Sequence, residues 1–250
     1  TGSNIADYAN TIVPTGDFRR DPSGESLYLG FMWTEAYTGI KNANTVPYLK
    51  NLVSEKRILA TLTTDPSLTS VYAGGGHGTN VLSTIAGNEP GKLIGTAYKA
   101  SFALAQTEES RHELIVEEAN WLRGAEWADS LGTDIISSSL GYSTFDNPLH
   151  NHTYADMNGK STLVSKAAAW AASKGILCTI SAGNEGANEW KYITAPADAD
   201  SILTVGSVNA LGGLSSFSST GPSFDGRIKP DVVSMGSNTV VGNTDGTIGI

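Results

Sequence analysis

The segment Leu163-Val164-Ser165-Lys166-Ala167-Ala168-Ala169-Trp170-Ala171-Ala172-Ser173-Lys174-Gly175-Ile176-Leu177-Cys178-Thr179-Ile180-Ser181-Ala182-Gly183-Asn184 decides the fold. Its alanine-rich half, to Lys174, predicts a helix, because alanine loses least on entering one. Gly175 supplies the stop. Ile176 to Ile180 is then an apolar run of strand length, opening into a loop with glycines at Gly183 and Gly186. Working upstream, the same pairing recurs. Leu114, Ile115, Glu118, Leu122, Ala125 and Ala128 fall near helical spacing, and Thr133 to Ser137 reads as the strand that follows. Ser101 to Ala105 is a further strand. A helix is predicted from His77, with Val81, Leu82, Ile85 and Ala86 as its apolar stripe and Gly87-Asn88 as its end. Leu27 to Trp33 and, downstream, Ile202 to Val208 complete the strands. Strands alternating with helices predict βαβ units, hence an α/β protein with a doubly wound, mostly parallel sheet flanked by helices.

Composition bounds what such a sheet serves. The chain has 250 residues, 40% hydrophobic, enough for a core, and no apolar run of membrane-spanning length. Sixteen Lys and Arg against 25 Asp and Glu leave a net charge of −9, which argues against nucleic acid or anionic membrane as partner. The one cysteine, Cys178, excludes an internal disulfide framework and reads as a small core residue. Residues 1–26 are polar with turn signals such as Asp21-Pro22-Ser23-Gly24, and read as an extension lying on the surface or against a partner. Residues 27–250 are expected to form the domain.

Three segments fall where strands of a parallel sheet end, the usual place for chemistry. Gly74-Gly75-Gly76-His77-Gly78-Thr79 sets a histidine at a helix start, where an imidazole can serve as general base or the turn can be merely glycine-rich. No phosphate-binding spacing accompanies it, which disfavours a nucleotide site. Ser137-Ser138-Ser139-Leu140-Gly141-Tyr142 offers small residues beside which an extended peptide fits, or simply a polar strand exit. Ser181-Ala182-Gly183-Asn184-Glu185-Gly186 delivers an amide that can donate to an oxyanion or serve a tight turn.

In this order the three segments resemble the subtilisin-like serine peptidases, the subtilases. His77-Gly78-Thr79-Asn80-Val81, Ser139-Leu140-Gly141 and Gly183-Asn184 match that family's pattern, as do Phe217-Ser218-Ser219-Thr220-Gly221-Pro222 and Lys229-Pro230-Asp231-Val232. The resemblance covers roughly residues 27 to 250. It implies a subtilisin-like fold and peptide-bond hydrolysis through an acyl-enzyme. It puts His77 in the general-base position and Asn184 in the oxyanion-donor position. Ser139, Leu140 and Gly141 would pair with substrate backbone, and Ala182 with Gly183 would floor the specificity pocket. It also implies a protein or peptide substrate and a secreted, cell-surface or periplasmic location. No cofactor is implied; calcium is common in the family, but no acidic loop here has its ligand spacing.

Two departures stand out. The family's aspartate aligns with Tyr37, in Ala36-Tyr37-Thr38-Gly39-Ile40, and a neutral phenol cannot supply the charge that stabilises imidazolium. Glu35 is the nearest carboxylate on the same strand face, ~6–7 Å away along it. The family's Gly-Thr-Ser segment has no clear counterpart before Ile250. The expectation is therefore a fold that lacks the part from the nucleophile helix onward, its core completed by a remainder or a second polypeptide. Gly246-Thr247-Ile248 is the degenerate alternative. Tyr37 favours a second reading, a catalytically inactive pseudopeptidase that binds peptides or acts as a scaffold. His150 and His152 with Asp146 and Asp156 read as a solvated loop, with no metal assigned, and Asn151-His152-Thr153 is a glycosylation sequon. Trp121, Trp127 and Trp170 read as packing, and His112 has no partner in sequence.

Overall fold

The computed structural model describes residues 27–32 in their backbone, and 46–64, 71–72, 76–109 and 111–250 in full. In chain order the elements begin β1 (Leu27–Met32), α1 (Lys50–Ser54), β2 (Ile58–Thr63), α2 (His77–Ala86), β3 (Asn88–Glu89), β4 (Leu93–Ile94) and β5 (Ser101–Gln106). They continue α3 (Val116–Leu131), β6 (Ile135–Ser138), α4 (Leu163–Ser173), β7 (Leu177–Ser181), β8 (Leu203–Val208), β9 (Val232–Met235), β10 (Val241–Gly242) and β11 (Ile248–Gly249). The extension expected over residues 1–26 lies outside the described residues, as do Glu35 and Tyr37.

The chain divides into two compact units. One takes the described part of Thr1–Ser110 with Arg123–Ile136 and Val240–Ile250; the other takes Arg111–Leu122 with Ser137–Thr239. In the first unit β5 pairs in parallel with β1 on one side, Leu27 opposite Ser101 through Met32 opposite Gln106. It pairs in parallel with β2 on the other, with a register irregularity between Ile58 and Ala60. All six residues of β5 are buried, as expected of a parallel strand covered on both faces. The core gathers Val46, Tyr48, Leu49 and Leu52 from the α1 region, Leu82 and Ala86 from α2, and Phe102 and Leu104 from β5. The predicted stripe on α2 is thus confirmed at its buried positions.

In the second unit β8 is the middle strand. It pairs in parallel with β7, Thr179 opposite Leu203, and with β9, Val205 opposite Val232. The alanine-rich helix α4 turns Val164, Ala167, Ala168 and Ala171 inward. Its start is capped by Thr162, whose hydroxyl accepts the Ser165 N–H at 3.2 Å. Cys178 on β7 is fully buried beside the Ala168 carbonyl, at 3.8 Å, and burial pushes its thiol up to about 12. It is the small core residue the sequence predicts.

The helix α3 starts two residues later than Leu114 because the Glu117 carboxylate accepts the Leu114 N–H at 3.0 Å. Trp121 and Trp127 on this helix are buried, as expected of packing residues, whereas Trp170 is partly exposed with the Lys174 ammonium 5.5 Å from its ring centroid. The sequence missed β2, β9 and the two short hairpins. Two-residue pairs such as β10 and β11 carry no periodicity to read.

Candidate active site

His77 is the first residue of α2, directly after Gly76, and is partly buried. The helix it opens is tied to the last hairpin of the chain. One turn on, the Asn80 amide donates to the Gly242 carbonyl at 2.8 Å and to Asn243 Oδ1 at 3.0 Å. Fully buried Ser83 accepts the Gly242 N–H at 2.8 Å. From the other side the Tyr48 hydroxyl donates to the Asn243 carbonyl at 2.5 Å, and burial, with Asp245 adding, raises its pKa. Gly246-Thr247-Ile248 is the turn and return strand of this hairpin: Gly246 N–H bonds the Asn243 carbonyl, and Asn243 N–H bonds the Thr247 carbonyl. None of these clamps was singled out in the sequence, where Asn80 is only a neighbour of His77.

The remaining candidates lie in the second unit, at two strand exits. Ser139, Leu140 and Gly141 leave β6 with Ser139 half-buried, Leu140 buried and Gly141 exposed. Ala182, Gly183 and Asn184 leave β7 with Ala182 buried and Asn184 exposed at the loop. One segment laces the two exits together. Tyr142 and Ala195 exchange backbone hydrogen bonds at 2.7 and 3.1 Å, and the Thr194 N–H donates to the Ala182 carbonyl at 3.3 Å.

Glycine is needed at both exits. Gly183 has φ +110°, and a Cβ there would lie 2.8 Å from both Ser219 Oγ and Thr194 Oγ1. A Cβ on Gly141 would lie 2.2 Å from the same Thr194 Oγ1. Ser219 holds the loop further: its N–H donates to the Gly183 carbonyl at 3.0 Å, and its hydroxyl accepts the Glu185 N–H at 2.9 Å. Thr194 escaped the sequence reading because nothing in its local pattern distinguishes it; only long-range pairing brings it here.

The loop that carries His150 and His152 is less open than expected. His152 is half-buried, its ring edge-on to Phe145, and its Nε2 lies 2.5 Å from Oε1 of buried Glu118. The other oxygen of Glu118 accepts the Val164 N–H at the start of α4, at 3.0 Å. The solvated-loop expectation therefore fails at His152, because its partner sits 34 residues earlier in sequence. Asp156 instead caps its own turn, accepting the Thr153 N–H and hydroxyl at 2.8 Å, bonds that hold its carboxyl below the usual range. His112 does have a partner: its Nδ1 lies 2.8 Å from Asp146 Oδ2.

Parallel strands flanked by helices, with glycine-bearing loops at the exits of β6 and β7, define an α/β fold of the doubly wound class. The subtilase family's model matches residues 53–250, and the chain belongs to that family. Subtilisin E of Bacillus subtilis (strain 168) is 34% identical over 164 residues, 64% of this chain and 38% of its own length. Subtilisin-like protease 1 of Arthroderma otae (strain ATCC MYA-4605 / CBS 113480) is 30% identical over 158 residues, 61% of this chain and 28% of its own length. The chain thus spans 28–38% of the length of these relatives. Among solved structures, a point mutant of the protease domain of PatA superposes with TM-score 0.67 at 19% identity, covering 90% of this chain and 73% of that one. The prenylagaramide maturation protease PagA gives 0.62 at 19%, covering 99% and 73%. The fold is subtilisin-like. Among the described residues, no helix is long and apolar enough to cross a membrane.

Proposed function

We propose that this chain forms the general-base and substrate-binding part of a subtilisin-like serine endopeptidase domain. The supporting observation is the lacing of the two strand exits by Thr194 and Ala195, which fixes Ser139 to Gly141 relative to Ala182 to Asn184. An extended peptide pairs its backbone with Ser139 to Gly141, and its side chain before the scissile bond enters between the exits. His77 takes the proton of the nucleophilic serine as its oxygen bonds to the peptide carbonyl carbon. The exposed Asn184 amide donates to the resulting oxyanion. His77 then gives the proton to the leaving amine as the C–N bond breaks, leaving an acyl-enzyme that water hydrolyses. Kinship with the subtilisins supports a secreted, cell-surface or periplasmic location.

An active-serine fluorophosphonate probe on the full-length protein is expected to form a covalent adduct that His77→Ala abolishes. A folded protein that takes no label would overturn the enzyme reading. Tyr37 favours the second reading, a pseudopeptidase that keeps the peptide-binding surface, because a phenol brings no negative charge to the imidazole. Under that reading the native protein is inert and Tyr37→Asp restores hydrolysis.

A further inference from the structure

A pocket of about 220 Å³ opens in the first unit, lined by Asn51, Glu55, Arg57, Asn88, Tyr98 and Lys99. Arg57 directly precedes β2, and Tyr98 and Lys99 come just before β5, so the pocket sits at the amino ends of these strands. His77 follows the carboxyl end of β2, and the pocket is no part of the candidate active site. Arg57 is its buried cation, only 9% exposed. Its Nε donates to Glu55 Oε2 at 2.8 Å and its Nη1 to the Ala100 carbonyl at 2.6 Å, which fixes the guanidinium in plane and direction. Nη2 is left without a partner among the described residues. Lys99 is exposed, its ammonium 5.8 Å from the Tyr98 ring centroid, and pairs with no carboxylate among the described residues. The side chains of Asn51 and Asn88 and the Tyr98 hydroxyl likewise make no hydrogen bond among them.

Such a lining is rich in unspent donors, while its one carboxylate, Glu55, is already engaged by Arg57. Two cations against one anion leave the pocket at a net +1, in a chain whose net charge is −9. A single carboxylate on a ligand neutralises that charge, whereas a dianionic phosphate overshoots it beside Glu55. The volume lies below the roughly 300–1,000 Å³ of drug-sized sites and suits a small acid or the end of a chain. We infer that this pocket binds a carboxylate, carried by a small organic acid or by the C-terminus of a peptide. Arg57 Nη2 donates to the carboxylate, and the Lys99 ammonium closes on it from the solvent side. Asn51, Asn88 and Tyr98 serve the polar groups next to it, an amide side chain matching a peptide N–H and C=O with one acceptor and one donor. Glu55 holds the guanidinium in place. The site is independent of the peptidase reading.

The test titrates the full-length protein with acetate, N-acetyl-dialanine, its C-terminal amide and inorganic phosphate, by isothermal calorimetry. The free dipeptide acid is expected to bind at least about tenfold more tightly than the amide. Lys99→Gln changes an exposed side chain and should weaken the acid about two- to fivefold while leaving the amide unmoved. Arg57→Lys keeps the buried charge but loses the fork, for a further loss of about tenfold, with thermal unfolding reporting that it is folded. Acetate bound as tightly as the dipeptide acid assigns the pocket to small acids. Acetate bound far more weakly assigns it to peptide ends, and either result supports a carboxylate site. Equal affinity for acid and amide, tighter binding of phosphate than of either acid, or an acid affinity untouched by Lys99→Gln would overturn it.

Discussion

At the level of single residues, the candidate site depends on a few atoms in tight places. Replacing Gly183 by alanine puts a Cβ 2.8 Å from two hydroxyls on a backbone with φ +110°. The expected cost is about 1–3 kcal/mol, read from the midpoint of denaturant unfolding. Asn184→Ala leaves the fold untouched, because its side chain is exposed, yet should lower kcat about 10²–10³-fold. That is the loss known for such a donor in subtilisin. A thiol reagent should leave Cys178 unmodified in the native protein and label it only on unfolding, since burial removes both access and the thiolate. His77, Gly183 and Asn184 were singled out because they stand in recognisable local runs. Thr194 and Ser219 do not, because the contacts that make them matter are set by pairing across the fold.

The elements show where periodicity suffices and where it fails. The helix α4 and strand β7 lie within a residue of their predicted bounds because helix former, stop and apolar run follow one another without ambiguity. The last hairpin has too few paired residues to announce itself, and it is held by side chains of α2. Ser83→Ala removes the acceptor of the buried Gly242 N–H, at an expected cost of about 1–3 kcal/mol. Hydrogen exchange at the Gly242 amide should accelerate by about tenfold or more while exchange in β5 stays unchanged. Exchange at Gly242 that stays as slow as in the native protein would mean the hairpin is held by other contacts.

For the molecule as a whole, a half-buried carboxyl and net acidity both make stability fall as pH rises from acid to neutral. Glu113 is half-buried, and burial, with the charge of Asp146 adding, raises its carboxyl from 4.5 to about 7. The folded state thus holds that proton more tightly than the unfolded chain does. Its contribution is fully present below about pH 4.5 and is lost as pH rises through about 7. Glu113→Gln should flatten this part of the stability–pH curve, measured by thermal unfolding across that range. An unchanged slope would mean that other groups titrate there. The net charge of −9 adds self-repulsion to the folded state without directing the fold.

The sequence alone determined the alternation of helices and strands, the parallel sheet and the three loop motifs, because periodicity and local motifs are properties of neighbours along the chain. By resemblance it also puts Tyr37 at the family's aspartate position, which lies outside the described residues. Only the tertiary structure decided that His152 belongs to buried Glu118, that Asn80 and Ser83 hold the final hairpin, and that Thr194 stands between two glycine loops. Each of these joins residues at least ten apart in sequence. No local pattern encodes such contacts; they exist only once the sheet has brought the strand ends together.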